Sequence, residues 1–97
     1  MMDQNYQEIA TTLASACPSS FTEAWVEAEV NDGHTKQQIW CSDGSDKSQP
    51  NISAMEGFKI SKSLLKIKDV MPNKEWSRCT FRLFSNGEFK FDIHYDD

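Results

Sequence analysis

Two histidines, three cysteines and fifteen acidic residues are the side chains of this 97-residue chain that could attack a substrate, move a proton or hold a metal. Their spacing does not gather them into a reaction centre. His34 falls at an expected hairpin end, and His94 lies on the non-core side of the last strand, next in sequence to acidic Asp92 and Asp96. An imidazole beside an acid makes a local pair, but nucleophilic catalysis also needs a hydroxyl or thiol oriented by that imidazole. Cys17, Cys41 and Cys79 each sit in an apolar pattern, where a thiol acts as a small hydrophobe. Their number is odd and no CxxC occurs, so neither a disulfide framework nor a zinc site is signalled. The serines carry no GxSxG setting, and there is no P-loop, GxGxxG or HExxH. Asp43-Gly44-Ser45-Asp46 is faintly calcium-like without the full ligand pattern, and Asp92, Asp96 and Asp97 crowd the end of the chain, where acids are usually just solvated. The expectation is a protein with no catalytic residue, no cofactor and no metal.

The elements that position these residues follow from hydrophobic period. Tyr6, Ile9, Ala10, Leu13, Ala16 and Cys17 recur on one side of a first helix, with Asp3 as its cap and Pro18 as its stop. From Phe21 the period becomes two. Ala24, Val26, Ala28 and Val30 alternate with Glu23, Trp25, Glu27 and Glu29 in a strand with one apolar and one mixed face. Asp32-Gly33 favours a two-residue type I′ turn into a second strand that reaches about Ser42. Counting outward from that turn sets Val26 against Ile39, Ala24 against Cys41 and Ala28 against Gln37. On the opposite face Trp25 meets Trp40, Glu27 meets Gln38 and Glu29 meets Lys36.

Residues 43–51 hold no apolar anchor and read as a mobile loop. Phe58 and Ile60 then lead to Ser61, the expected cap of a second, short helix with Leu64, Leu65, Ile67, Val70 and Met71 on its apolar side. Pro72-Asn73 ends it. The last hairpin runs from about Trp76 to Tyr95. A two-residue Asn86-Gly87 turn would put its apolar sets on opposite faces. A three-residue loop, Ser85-Asn86-Gly87, sets Leu83 against Phe89, Phe81 against Phe91 and Cys79 against Ile93, with Gly87 in the left-handed position. The fold class is α+β: a single domain in the order α-β-β-α-β-β, its four-stranded antiparallel sheet of two hairpins carrying both helices on one face.

Charge points to the kind of partner. The chain carries a net charge of −5, which argues against direct nucleic-acid binding, because phosphate is held by Lys and Arg. It suits a basic protein partner. Residues 1–56 hold nine acids against two bases, whereas residues 57–82 hold two acids against seven bases. No apolar stretch is long enough for a membrane span, and the polar Met1-Met2-Asp3-Gln4-Asn5-Tyr6 opening is unlike a secretory leader, so a cytoplasmic setting is expected. Candidate partner-binding residues are Glu23, Trp25, Glu27, Glu29 and Trp40 on the outer hairpin face, with Asp43 and Asp46 in the loop that follows. The plainer reading of the tryptophans is ordinary core, covered by that loop or another element. The basic helix around Lys59, Lys62 and Lys66 is a competing surface.

The stretch from Trp76 through Gly87-Glu88-Phe89 to Tyr95-Asp96 resembles the C-terminal signature of the YezG-type immunity proteins of bacterial toxin systems: a Trp, a strand, a Gly-Lys/Glu-Phe turn, and a strand ending in Tyr-Asp. Pro18 followed by an acidic aromatic strand with Trp25 and Val30, and a later Ile60-Ser61 opening a helix, are similar in order. The resemblance implies a cytoplasmic antidote, as in contact-dependent growth inhibition, that binds and neutralises a toxin domain, often a nuclease; the acidic surface would suit occlusion of such a nuclease's basic active site. Trp76, Gly87, Phe89 and Tyr95 are the residues it matches, and their implied role is structural. A non-catalytic adaptor or subunit of a larger assembly is the alternative.

Overall fold

A computed structural model describes the backbone of residues 2–31, 33–71 and 76–94, with side chains from Gln4 onward. Helix α1 spans Met2–Ala16 and helix α2 Ala54–Val70; strands β1 (Glu23–Asn31), β2 (His34–Ser42), β3 (Lys47–Ser48), β4 (Arg78–Phe84) and β5 (Phe89–His94) complete the chain. All strands pair antiparallel, in the spatial order β3-β2-β1-β4-β5. The class is α+β as expected, but the sheet has five strands rather than four. The extra strand lies inside the segment read as loop. Two residues, Lys47 and Ser48, pair with Ser42 and Cys41 on the free edge of β2.

Both hairpin registers agree with the counted ones. Trp25 lies opposite Trp40, Val26 opposite Ile39 and Glu29 opposite Lys36. Phe81 lies opposite Phe91, and Leu83 opposite Phe89. In the second loop Gly87 takes φ +90°, its N–H donates to Phe84 O at 2.9 Å, and Phe84 N–H donates to Glu88 O at 2.9 Å. That geometry is the three-residue loop, and it keeps the apolar residues of β4 and β5 on one side. In the first turn Gly33 takes φ +76°; Asp32 lies outside the described residues.

One face of the sheet is closed by both helices. Ala24, Val26, Ala28 and Val30 of β1, Ile39 and Cys41 of β2, and Cys79, Phe81 and Leu83 of β4 form one buried cluster with Ile9, Leu13 and Cys17 of α1 and Ile60, Leu64 and Ile67 of α2. Trp76 is fully buried, edge-on to Phe91 at 6.2 Å, with the Lys68 ammonium 5.2 Å from its ring. Phe89 stacks on Tyr6 and Phe81 yet remains 44% exposed, at the start of β5, the edge strand of the sheet. Pro72, Asn73 and Tyr95, expected as helix stop and strand end, lie outside the described residues.

The helix ends correct two expectations. Helix α1 opens at Met2, one residue before the Asp3 expected to cap it, and ends before Pro18 as expected. Helix α2 starts seven residues ahead of Ser61. Its cap is Ser53, whose hydroxyl accepts from Glu56 N–H at 3.1 Å while the Glu56 carboxylate accepts from Ser53 N–H at 3.1 Å. This reciprocal box satisfies two otherwise unpaired helix donors. Ser61 sits inside the helix, where its hydroxyl accepts from Thr35 Oγ1 at 2.7 Å. With Gln37 Nε2 donating to Gly57 O at 3.0 Å and Lys68 Nζ to Val30 O at 2.8 Å, α2 is fastened to β2 and β1 along its length.

Candidate functional site

Strand alternation sends every second side chain away from the helices. No described element covers that side of the sheet. β1 contributes Glu23, Trp25, Glu27 and Glu29; β2 contributes Lys36, Gln38 and Trp40; β4 contributes Arg78, Thr80 and Arg82; β5 contributes His94. Five of the seven expected binding residues therefore share one surface, Glu23, Trp25, Glu27, Glu29 and Trp40.

The tryptophans are held by their neighbours. The Trp25 and Trp40 rings stack with centroids 6.4 Å apart and planes 19° from parallel. The Arg82 guanidinium lies 5.4 Å from the Trp25 ring centre and the Lys47 ammonium 4.9 Å from that of Trp40. Trp25 Nε1 donates to Glu27 Oε1 at 3.2 Å. The result is a cation–ring–ring–cation stack across four strands, from β3 through β2 and β1 to β4. Trp25 retains 9% of its exposure and Trp40 is half-buried. Each cation–π contact contributes about 0.5–1 kcal/mol at such a site, and the ring pair about 0.5–1.5 kcal/mol beyond its area. The 43–51 segment does not cover the pair; it supplies the outer cation.

Neighbouring strands also change the electrostatics expected from the first hairpin alone. Glu23 is ion-paired with Arg82. Glu29 lies opposite Lys36 on one side and Arg78 on the other. The face is mixed in sign, with acids and bases interleaved, not a uniformly acidic surface. Beyond the tryptophans it dips into an open groove of about 700 Å³ bordered by Glu27, Glu29, Lys36, Arg78, Thr80 and His94. Within it Thr80 Oγ1 and His94 Nε2 are 2.9 Å apart, so His94 is hydrogen-bonded across β4–β5 to a hydroxyl; Asp96, one of its two acidic neighbours in sequence, lies outside the described residues.

Asp43 and Asp46 sit apart, in the turn between β2 and β3. Asp43 Oδ1 accepts from the N–H groups of Ser45 and Asp46, both at 3.0 Å. Those bonds, led by the one from Asp46, hold its carboxyl below the usual carboxylate range. The carboxylate thus shapes the turn that brings Lys47 to Trp40. The cysteines lie in the core. Burial, reinforced by contact with the Cys41 thiol, pushes the Cys17 thiol up to about 12. Burial likewise pushes Cys79 to about 12, against the pull of Lys68. Both are poor nucleophiles at neutral pH.

Arg78, Thr80, Arg82 and Lys47 were missed in the sequence. The alternation of Arg78, Thr80 and Arg82 with Cys79, Phe81 and Leu83 places them on the outer face, but only the pairing of β4 with β1 makes them neighbours of Trp25. Among the described residues, no helix is long and apolar enough to cross a membrane. No protein-family model matches the chain, and no curated protein matches it.

Proposed function

We propose that the chain is a non-catalytic binding protein of the immunity type, and that the open sheet face docks a toxin domain and occludes its active site. The observation that carries this reading is the Lys47–Trp40–Trp25–Arg82 stack, standing on a sheet surface that no described element covers. Tryptophan and arginine are enriched among the residues that dominate interface energetics, tryptophan through its large rigid contact area and arginine through its stacking, bidentate guanidinium. The rings are already held by stacking and by the Trp25–Glu27 bond, so little ordering remains to be done on binding. Interleaved Glu23, Glu27, Glu29, Lys36, Arg78 and Arg82 give the rim a charge pattern that sets register and excludes wrong partners.

The class of partner follows from net charge and from the Trp76–Asp96 resemblance. A chain of −5 is drawn to a basic surface, and a nuclease toxin is basic where it holds phosphate. The mixed face implies that this long-range attraction comes from the whole molecule, whereas the close fit comes from the tryptophans.

The test is co-purification with the C-terminal domain of the protein encoded directly upstream, for wild type and for Trp25→Ala/Glu27→Lys. The expected result is a complex that abolishes toxin activity and is lost in the variant. A variant that binds and protects like wild type would remove this face from the proposal. Survival of cells that lack the chain while making the upstream product would remove the immunity role and leave the adaptor reading.

A further inference from the structure

The outer side of α2 is unlike the rest of the helix layer. Its inner stripe, Ile60, Leu64 and Ile67, is fully buried. On the outer stripe Met55 and Phe58 are 68% and 66% exposed, the two most exposed large apolar side chains among the described residues. Lys59, Lys62 and Lys66 follow at positions four, seven and eleven after Met55, so all five side chains fall on one side of the helix. All three lysines are exposed, and none takes part in an ion pair among the described residues. Between this stripe and α1 runs a groove of about 420 Å³, with Gln4, Asn5 and Glu8 on the far wall.

The exposed pair is not a frayed end. Met55 and Phe58 lie in the first turns of α2, where the Ser53–Glu56 capping box closes the helix terminus. Gln37 holds Gly57 from below at 3.0 Å, and Thr35 holds Ser61 at 2.7 Å. A fixed helix that presents two large apolar side chains to water, followed by three cations without an ion pair among the described residues, is an unfilled surface.

We infer that this stripe is a second docking surface and that its occupant is an acidic amphipathic helix of a partner protein. Charge complementarity selects acid: three exposed lysines line one stripe of a chain whose net charge is −5. A groove between two helices accepts a third, which reads Met55 and Phe58 as anchors at helical spacing. Methionine and phenylalanine together give an adaptable and a rigid contact. Anionic lipid fits less well. Lipid-directed basic clusters hold about four to eight cations, and a surface-seeking helix turns its whole apolar face outward, whereas α2 buries that face in the core. This inference does not rest on the proposed role of the sheet face, which lies on the other side of the molecule.

The experiment titrates the full chain into a fluorescein-labelled synthetic amphipathic helix, leucine and phenylalanine on one face and glutamate on the flanks. Circular dichroism verifies that each variant is folded. The expected result is saturable binding that weakens with salt. It falls about tenfold or more in Lys59→Glu/Lys62→Glu/Lys66→Glu and in Phe58→Ser, and is unchanged in Trp40→Ala. Absence of binding, or equal binding by the lysine variant, would overturn the inference. So would tighter binding to phosphatidylglycerol vesicles than to the peptide, or a concentration-dependent dimer that Phe58→Ser abolishes in the absence of peptide binding. Loss of toxin binding in Trp25→Ala/Glu27→Lys together with retained peptide binding would separate the two surfaces.

Discussion

The two faces of the sheet are built from the same strands and differ only in parity. Even positions of β1 and odd positions of β2 and β4 point into the helices and are aliphatic, aromatic or thiol except Thr35 and Gln37, which hydrogen-bond to α2; Val26, Val30, Phe81 and Cys79 are essentially without solvent contact. Odd positions of β1 and even positions of β2 and β4 are polar or charged apart from Trp25, Trp40 and Phe84. The covered face is closed by a second layer. On the open face Trp25 is nearly as buried, but by Trp40, Arg82 and Glu27 within the sheet's own surface. Folding therefore depends mainly on the first face, and the second stands outside the helix layer, where the proposed docking takes place. A one-residue slip in either hairpin would exchange the two, so the turn residues guard both.

Substitutions that respect this division should split stability from binding. The largest effect is expected for Phe81→Ala, which empties a fully buried site stacked on Phe89. It should cost about 3–5 kcal/mol in urea unfolding. Trp40→Ala should cost a folded partner complex about 2 kcal/mol or more in affinity, read by calorimetry, and the free protein only about 1 kcal/mol in stability. If the stability loss exceeds the binding loss, the open face is structural and the comparison fails.

A subtler check uses the buried thiol. An ordinary thiol loses its proton near pH 9.0, but Cys79 holds its own to about 12. Its folded value is raised, so its contribution is complete below pH 9 and is lost as the pH climbs from there towards 12. The slope is about 1.4 kcal/mol per pH unit. Urea unfolding between pH 9 and 11 should show a steeper decline for wild type than for Cys79→Ala. The smallest effect is expected for Arg82→Gln. Its pair with Glu23 is partly exposed and its guanidinium lies over the Trp25 ring at the sheet surface, so stability should fall by about 1 kcal/mol, and the ion-pair part of the difference should shrink in high salt.

Legibility from sequence followed the range of the determining interaction. Both hairpin registers could be counted because alternation and turn geometry are local, and Gly33 and Gly87 take the positive φ that those turns require. The start of helix α2 at Ala54 is less legible. Gly57 is a weak helix former, and Met55 and Phe58, exposed in the structure, blur the apolar stripe behind Ser53-x-x-Glu56. Strand β3 is two polar residues long and leaves no periodic trace. The site was half legible. Trp25, Trp40 and the three glutamates lie on one hairpin and were found together. Arg82, Arg78 and Lys47 reach them only through the β4–β1 and β2–β3 pairings, which no local pattern specifies. For that reason the face read as acidic from sequence and is mixed in the structure.

The central claim is that the open face, and not the helix layer, receives the toxin domain. Amide chemical-shift mapping of the isotope-labelled chain, titrated with the C-terminal domain of the upstream product, tests it most directly. The account predicts perturbations centred on Trp25, Glu27, Trp40, Thr80 and Arg82, including the indole N–H signals of Trp25 and Trp40. Perturbations confined to α1 and α2, with those indole signals unmoved, would contradict it.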